Sequence, residues 1–188
     1  MPIELKDYEA RIEHKIGKNE AEPEVANVTA IKLDEKNGLG IALGFTNNSL
    51  SKADYLHING DNFIIIEASD LRDQLKECVE SIAIEEAKAL AALQADDPAK
   101  RKLPIGIKKP IEAKYYYSLK AELMQKWCGS IAISERLCRA NGIQNHPEYS
   151  YMIVCRNGTD VQVLSRFKQK MEGTIKNIKV LTTDTLAF

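Results

Sequence analysis

Aromatic residues make up only 6% of the 188-residue chain, with one Trp, and the sequence holds just four Cys, three His and six Pro. Each scarcity excludes something. No Cys-x-x-Cys pair occurs, and Cys78, Cys128, Cys138 and Cys155 lie far apart among apolar residues. They read as reduced, mostly buried thiols of a cytosolic protein, not as a disulfide framework. His14, His57 and His146 are equally dispersed, so a zinc centre would have to be assembled from single distant residues. Apolar runs such as Phe63–Ile66 fall far short of the roughly 20 residues a spanning helix needs. The charged start, Ile3-Glu4-Leu5-Lys6-Asp7, stands where a signal peptide would carry its apolar stretch, so a cytoplasmic location is expected. Excess charge is missing too: 26 Lys+Arg balance 27 Asp+Glu, for a net charge of -1. That balance argues against a uniformly basic, sequence-indifferent nucleic-acid binder, although it leaves room for a local basic face.

What is present is 44% apolar content in a chain long enough to bury a core without staples. Residues 1–24 read as a polar, charge-rich segment with room for a short helix over Lys6–Ile16, and residues 25–188 as a single domain. A hairpin is expected from Val25–Leu33 and Leu39–Phe45 about Asn37-Gly38. Strands Ala53–Ile58 and Asn62–Ala68 should follow, turning at Asn59-Gly60-Asp61; the second is apolar on both faces and so central. Apolar residues at three- and four-residue intervals predict a helix from Asp70 to about Gln94, with Asp70 as N-cap. A second helix is predicted from about Ile111 to Ala140, ending at Asn141-Gly142. Strand Tyr149–Arg156, helix Val161–Ile175 and strand Ile178–Thr183 complete the order. Between the long helices, Asp96–Pro110 holds three prolines and the basic cluster Lys100, Arg101, Lys102, Lys108 and Lys109, with Lys114 nearby. It reads as a solvated loop or, alternatively, as a phosphate contact.

The chemistry-bearing arrangement is Asp54 at the head of one strand and Glu67 at the end of the next. Antiparallel strands joined by a tight turn can bring both carboxylates to one sheet edge, where they would hold a hard divalent cation such as Mg²⁺, with Mn²⁺ able to substitute. Such an ion polarises a phosphoryl oxygen and lowers the pKa of an attacking water. Polar strand ends without function are the alternative. Trp127, followed by Cys128-Gly129-Ser130, reads as a close-packing contact. Of Tyr115-Tyr116-Tyr117 at least one must be exposed on a helix, and it is available to stack on a base. Ser69, Ser130 and Ser134 lack a His/Asp pattern, so a hydrolase triad is unsupported.

At Asp54 and Glu67-Ala68-Ser69 the sequence resembles the PD-(D/E)XK, or restriction-endonuclease-like, nuclease superfamily. The resemblance runs over roughly Val25 to Thr183 and implies a mixed α/β core: a central sheet flanked by helices, with a long helical excursion after the Glu67 strand. It also implies a Mg²⁺-dependent endonuclease or exonuclease acting on nucleic acid, with Asp54, Glu67 and the Ala68 carbonyl as metal ligands. Ser69 stands where the family has lysine and cannot supply a cation to the developing phosphorane charge. The basic group would then come from a helix, the candidates being Arg72, Lys76, Lys120 and Lys126. Gln74 is the candidate helix polar group, and Glu20, Glu22 and Glu24 are candidates for an additional acid. A homodimer would suit cleavage of two strands. A catalytically inactive member of the same fold, binding protein or nucleic acid, is the alternative.

Overall fold

A computed structural model describes residues 2–14, 22–46, 49–68, 71–144, 146–175 and 177–188, with the side chains of Arg72 and Lys170 excepted. The chain is mixed α/β, and its described residues form six strands in one mixed sheet and four helices. It divides into two units: residues 1–70 with 123–188, and residues 71–122.

The first unit contains the sheet, whose strands lie side by side in chain order. They are β1 (Glu9–Glu13), β2 (Val25–Lys32), β3 (Tyr55–Asn59), β4 (Asn62–Ala68), β5 (Glu148–Cys155) and β6 (Ile178–Thr182). The first four run antiparallel to their neighbours, and β5 and β6 continue the sheet in parallel from β4. Phe63-Ile64-Ile65-Ile66 explains the central place of β4: β-branched and aromatic side chains suit a pleated surface covered on both faces. The β3–β4 turn needs Gly60, whose φ is +60°. On one sheet face Ile12, Ala30, Tyr55, Ile66, Ala68, Met152, Val154 and Leu186 form a buried cluster. Toward the other face comes the later part of helix α3 (Ile105–Ala140), whose Trp127 ring meets Tyr149 and Tyr151. Tyr149 also donates to Glu135 at 2.8 Å; burial first, and then this hydrogen bond, push its phenol pKa upward. Helix α4 (Val161–Glu172) connects β5 to β6 and is capped by the Asp160 carboxylate on the Gln162 N–H.

Several expectations are corrected. The segment predicted as a second hairpin strand, Leu39–Phe45, contains the short helix α1 (Leu39–Ala42). No edge of β2 is open to it, because β1 occupies one side and β3 the other. The chain instead folds back on itself, with the Gly40 N–H reaching the Leu33 carbonyl. In the polar N-terminal segment, Glu9–Glu13 is a strand where a helix over Lys6–Ile16 was expected, and Ile12 is fully buried. Two of the four thiols are buried, Cys138 and Cys155, while Cys128 is exposed. Asp70, the expected N-cap, lies outside the described residues.

The second unit pairs helix α2 (Leu71–Asp96) with the opening of α3. Glu85 on α2 accepts from Tyr115 at 3.0 Å and from Lys114 at 3.3 Å. Helix α3 begins at Ile105, six residues before the predicted start, and runs through Pro110, whose ring removes one intrahelical hydrogen bond. Among the described residues, no helix is long and apolar enough to cross a membrane.

Candidate functional site

The site grows from the β3–β4 ladder. Its pairs run from Asn59↔Asn62 to Tyr55↔Ile66, and the next step along brings in Asp54, just before β3, and Glu67 of β4. The Asp54 carboxylate closes that step, Oδ2 accepting the Ala68 N–H at 2.9 Å. Asp54 and Ala68 are thus joined at the end of the ladder, while Glu67 turns its side chain to a cation on α3.

Glu67 is almost wholly buried, with 1% of its side chain exposed, and it is met there by a cation. Lys126 on α3 places Nζ 2.5 Å from Glu67 Oε1. A charge-assisted contact this short in low-dielectric surroundings is strong once formed, although the desolvation of both partners offsets much of its net value. Lys126 thus stands out from the four helix cations that sequence could not separate.

Two small residues bring Lys126 to this point. Gly129 lies so close to the Leu50–Ala53 segment that a Cβ there would sit 1.8 Å from the Ser51 carbonyl oxygen. The next residue, buried Ser130, accepts the Ala53 N–H at 2.9 Å, and Ser134 donates back to the Ser130 carbonyl. The helix is therefore fastened to the backbone immediately before Asp54, one turn from Lys126. Trp127 is a packing residue, as its sequence context suggests.

Beside Asp54 opens a cleft of about 30 Å³ lined by Glu13, Lys32, Asp34, Glu35, Asp54, Tyr55 and Ala68. Glu67 is not part of its lining. Glu13 was missed in the sequence because its strand was read as loose polar chain; the Tyr55 hydroxyl accepts its N–H at 3.1 Å and anchors it. Burial pushes the Tyr55 phenol up to about 12. Lys52, with 1% of its side chain exposed, packs under Gly40 and reaches Asp34 at 2.9 Å.

The remaining candidates fall elsewhere. Gln74 and Lys76 belong to the second unit. Gln74 is exposed on α2 beside a groove of about 300 Å³ with Glu77, Cys78, Ser81 and Tyr115. Lys76 is solvated and lies 4.0 Å from Glu80 on its own helix. Lys120 is half-buried in the same unit. Glu24 accepts the Asn157 N–H, and Glu22 is exposed. Glu20, Ser69 and the Arg72 side chain lie outside the described residues.

For a magnesium ion, Asp54, Glu67 and the Ala68 carbonyl are donors of the right kind, hard oxygens, with Glu67 held by Lys126 and outside the lining of the cleft beside Asp54. Among the described residues, no group of three His, Cys, Asp or Glu is spaced to hold a metal, so water would have to supply much of the coordination. Compared with protein families, curated proteins and solved structures, the chain matches none.

Proposed function

We propose that this protein is a metal-dependent nuclease of the PD-(D/E)XK type, hydrolysing phosphodiester bonds at Asp54 and Glu67. The observation that carries the reading is the Lys126–Glu67 contact at 2.5 Å. It brings to the motif edge the basic group that Ser69 cannot provide. The sheet order supports the same reading: an antiparallel meander through β4, then parallel strands reached across helices.

Mg²⁺ bound by Asp54, Glu67 and the Ala68 carbonyl would supply Lewis-acid activation of the phosphoryl oxygen and of water. The chain's own contributions follow from its geometry. Asp54 is held in place by the Ala68 N–H, which keeps its carboxylate at the strand edge. Lys126 neutralises the Glu67 carboxylate and presents an ammonium where negative charge grows on the phosphate. Gly129 and Ser130 position Lys126 against the Asp54 backbone.

A second reading is favoured by one observation. Glu67 is buried and already engaged by Lys126, as in a fold that keeps the motif as a structural ion pair. Calorimetric titration with Mn²⁺ separates the two. The nuclease reading expects binding by the wild type that is lost in Glu67→Gln with the fold intact by circular dichroism. No heat of binding, or equal binding by both proteins, favours the inactive fold.

A further inference from the structure

The second unit ends in a positively charged tip. Between Asp97 and Glu112 the chain carries Lys100, Arg101, Lys102, Lys108 and Lys109 and no carboxylate. All five are exposed. The loop that bears the first three is ordered by its own hydrogen bonds. Gln94 donates to the Lys100 carbonyl at 2.8 Å, Arg101 to the Pro98 carbonyl at 2.7 Å, and the Lys100 N–H to the Asp97 carbonyl at 3.0 Å. Two of the five cations have carboxylate partners. Lys100 lies 3.8 Å from Asp97, an exposed pair of little strength, and Lys108 lies 3.5 Å from the half-buried Glu86. Lys102 and Lys109 have no acidic partner among the described residues.

Two further features lie beside these cations. Helix α3 opens at the same loop with no acid in its first turn, and a Cβ at Gly106 would meet nothing within 4 Å, so the positive helix end is open to an anion. A groove of about 530 Å³ runs alongside, lined by the apolar Ala87, Leu90 and Leu103 and by Arg101, Lys102, Lys108 and Glu86. Apolar side chains beside three cations suit the alternating sugar and phosphate of a nucleic-acid backbone, and the carboxylate among them, Glu86, is paired with Lys108. A flat anionic surface such as a membrane fits less well, because Asp96, Asp97 and Glu86 adjoin the cations and would be pressed against it.

From this we infer that the α2–α3 tip is a docking surface for the phosphate backbone of nucleic acid. It rests on the nuclease reading only in taking that nucleic acid to be the substrate. Binding is measured on the full chain in EDTA, so that metal-dependent cleavage does not intervene, using fluorescence anisotropy with labelled single-stranded DNA, duplex DNA and single-stranded RNA. If all five cations meet phosphates, the slope of log K against log salt is about -3.5 on single strands and about -4.5 on duplex. The variant Lys102→Gln/Lys109→Gln should bind at least tenfold more weakly at 100 mM salt, with a single-strand slope shallower by about 1.4. A charge-matched control, Lys36→Gln/Lys179→Gln, should bind like the wild type. Equal losses in the two double variants, or no loss in the first, overturn the proposal. So does a wild type that ignores nucleic acid, whether or not it binds vesicles containing phosphatidylserine. Binding that depends on the tip in a protein that never cleaves with Mg²⁺ would support the docking surface while sinking the nuclease reading. Cleavage that proceeds equally well in the tip variant, with unchanged binding, would do the reverse.

Discussion

Replacing Gly129 by alanine sets two effects of opposite sign against each other. In an open helix the change is worth up to about 1 kcal/mol in favour of the fold, because glycine is the poorer helix former. At Gly129 the new methyl would lie 1.8 Å from the Ser51 carbonyl oxygen and 2.9 Å from Leu50 Cγ, where real Cβ contacts essentially never fall below 3.0 Å. Helix and segment must therefore separate by more than about 1 Å. The opposing segment is poorly placed to yield, since Ala53 is hydrogen-bonded to Ser130 and Lys52 is buried beneath Gly40. Overpacking of this kind costs about 1–3 kcal/mol, and loosening the buried Ala53–Ser130 bond about 1–3 kcal/mol more. The net expectation is a loss of about 2–4 kcal/mol, seen in urea unfolding as a lower midpoint with an unchanged slope. Gly106→Ala, where the new methyl meets open space, serves as the internal comparison and should be neutral or slightly stabilising. Metal-dependent cleavage should fall in Gly129→Ala, because Lys126 and the backbone at Asp54 move apart together. A Gly129→Ala protein at least as stable as the wild type would refute the reasoning about this contact.

Other predictions follow from the same contacts. Lys126→Met should cost about 3 kcal/mol in unfolding free energy by stripping Glu67 of its buried cation, and the double variant with Glu67→Gln should recover part of that loss; strictly additive losses would deny the coupling. Tyr55, raised from 10 to about 12, stabilises the fold fully below pH 10 and progressively less as pH rises through 12. At pH 11 a contribution on the order of 1 kcal/mol is gone, so the urea midpoint of Tyr55→Phe should fall less between pH 8 and pH 11 than that of the wild type. His57 stacks on Phe188 at 3.9 Å, and burial lowers its pKa. Its stabilisation is present above pH 6.5 and fades as pH falls. Titration by NMR should find its pKa below the ordinary value and higher in Phe188→Ala; an unchanged value would contradict the burial argument.

The sequence was most legible where local pattern and environment agree. Strand β4 spans the predicted Asn62–Ala68, because a β-branched run bounded by a glycine turn admits few alternatives. The β3–β4 ladder that carries Asp54 and Glu67 at its end follows from that turn and the two-residue period of a strand. Lys126 was visible only as one of four helix cations, since which cation reaches Glu67 is decided by Gly129 and Ser130 approaching a segment some 77 positions earlier. Glu13 was invisible for a related reason: β1 owes its existence to pairing with β2, and its own residues carry little strand signal. The expected hairpin at Asn37-Gly38 failed because a turn signal reports a local reversal and says nothing of which strand takes the free edge.

The central claim is that Asp54, Glu67 and Lys126 form a phosphodiesterase site, and the direct test is the rate of cleavage of end-labelled DNA and RNA with Mg²⁺ or Mn²⁺ and with EDTA. The account predicts divalent-dependent cleavage by the wild type that Asp54→Ala and Glu67→Ala each abolish, and that Lys126→Met lowers by about a hundredfold or more. Cleavage that persists at the wild-type rate in both carboxylate variants, or a wild type that leaves every substrate intact with either metal, would contradict it.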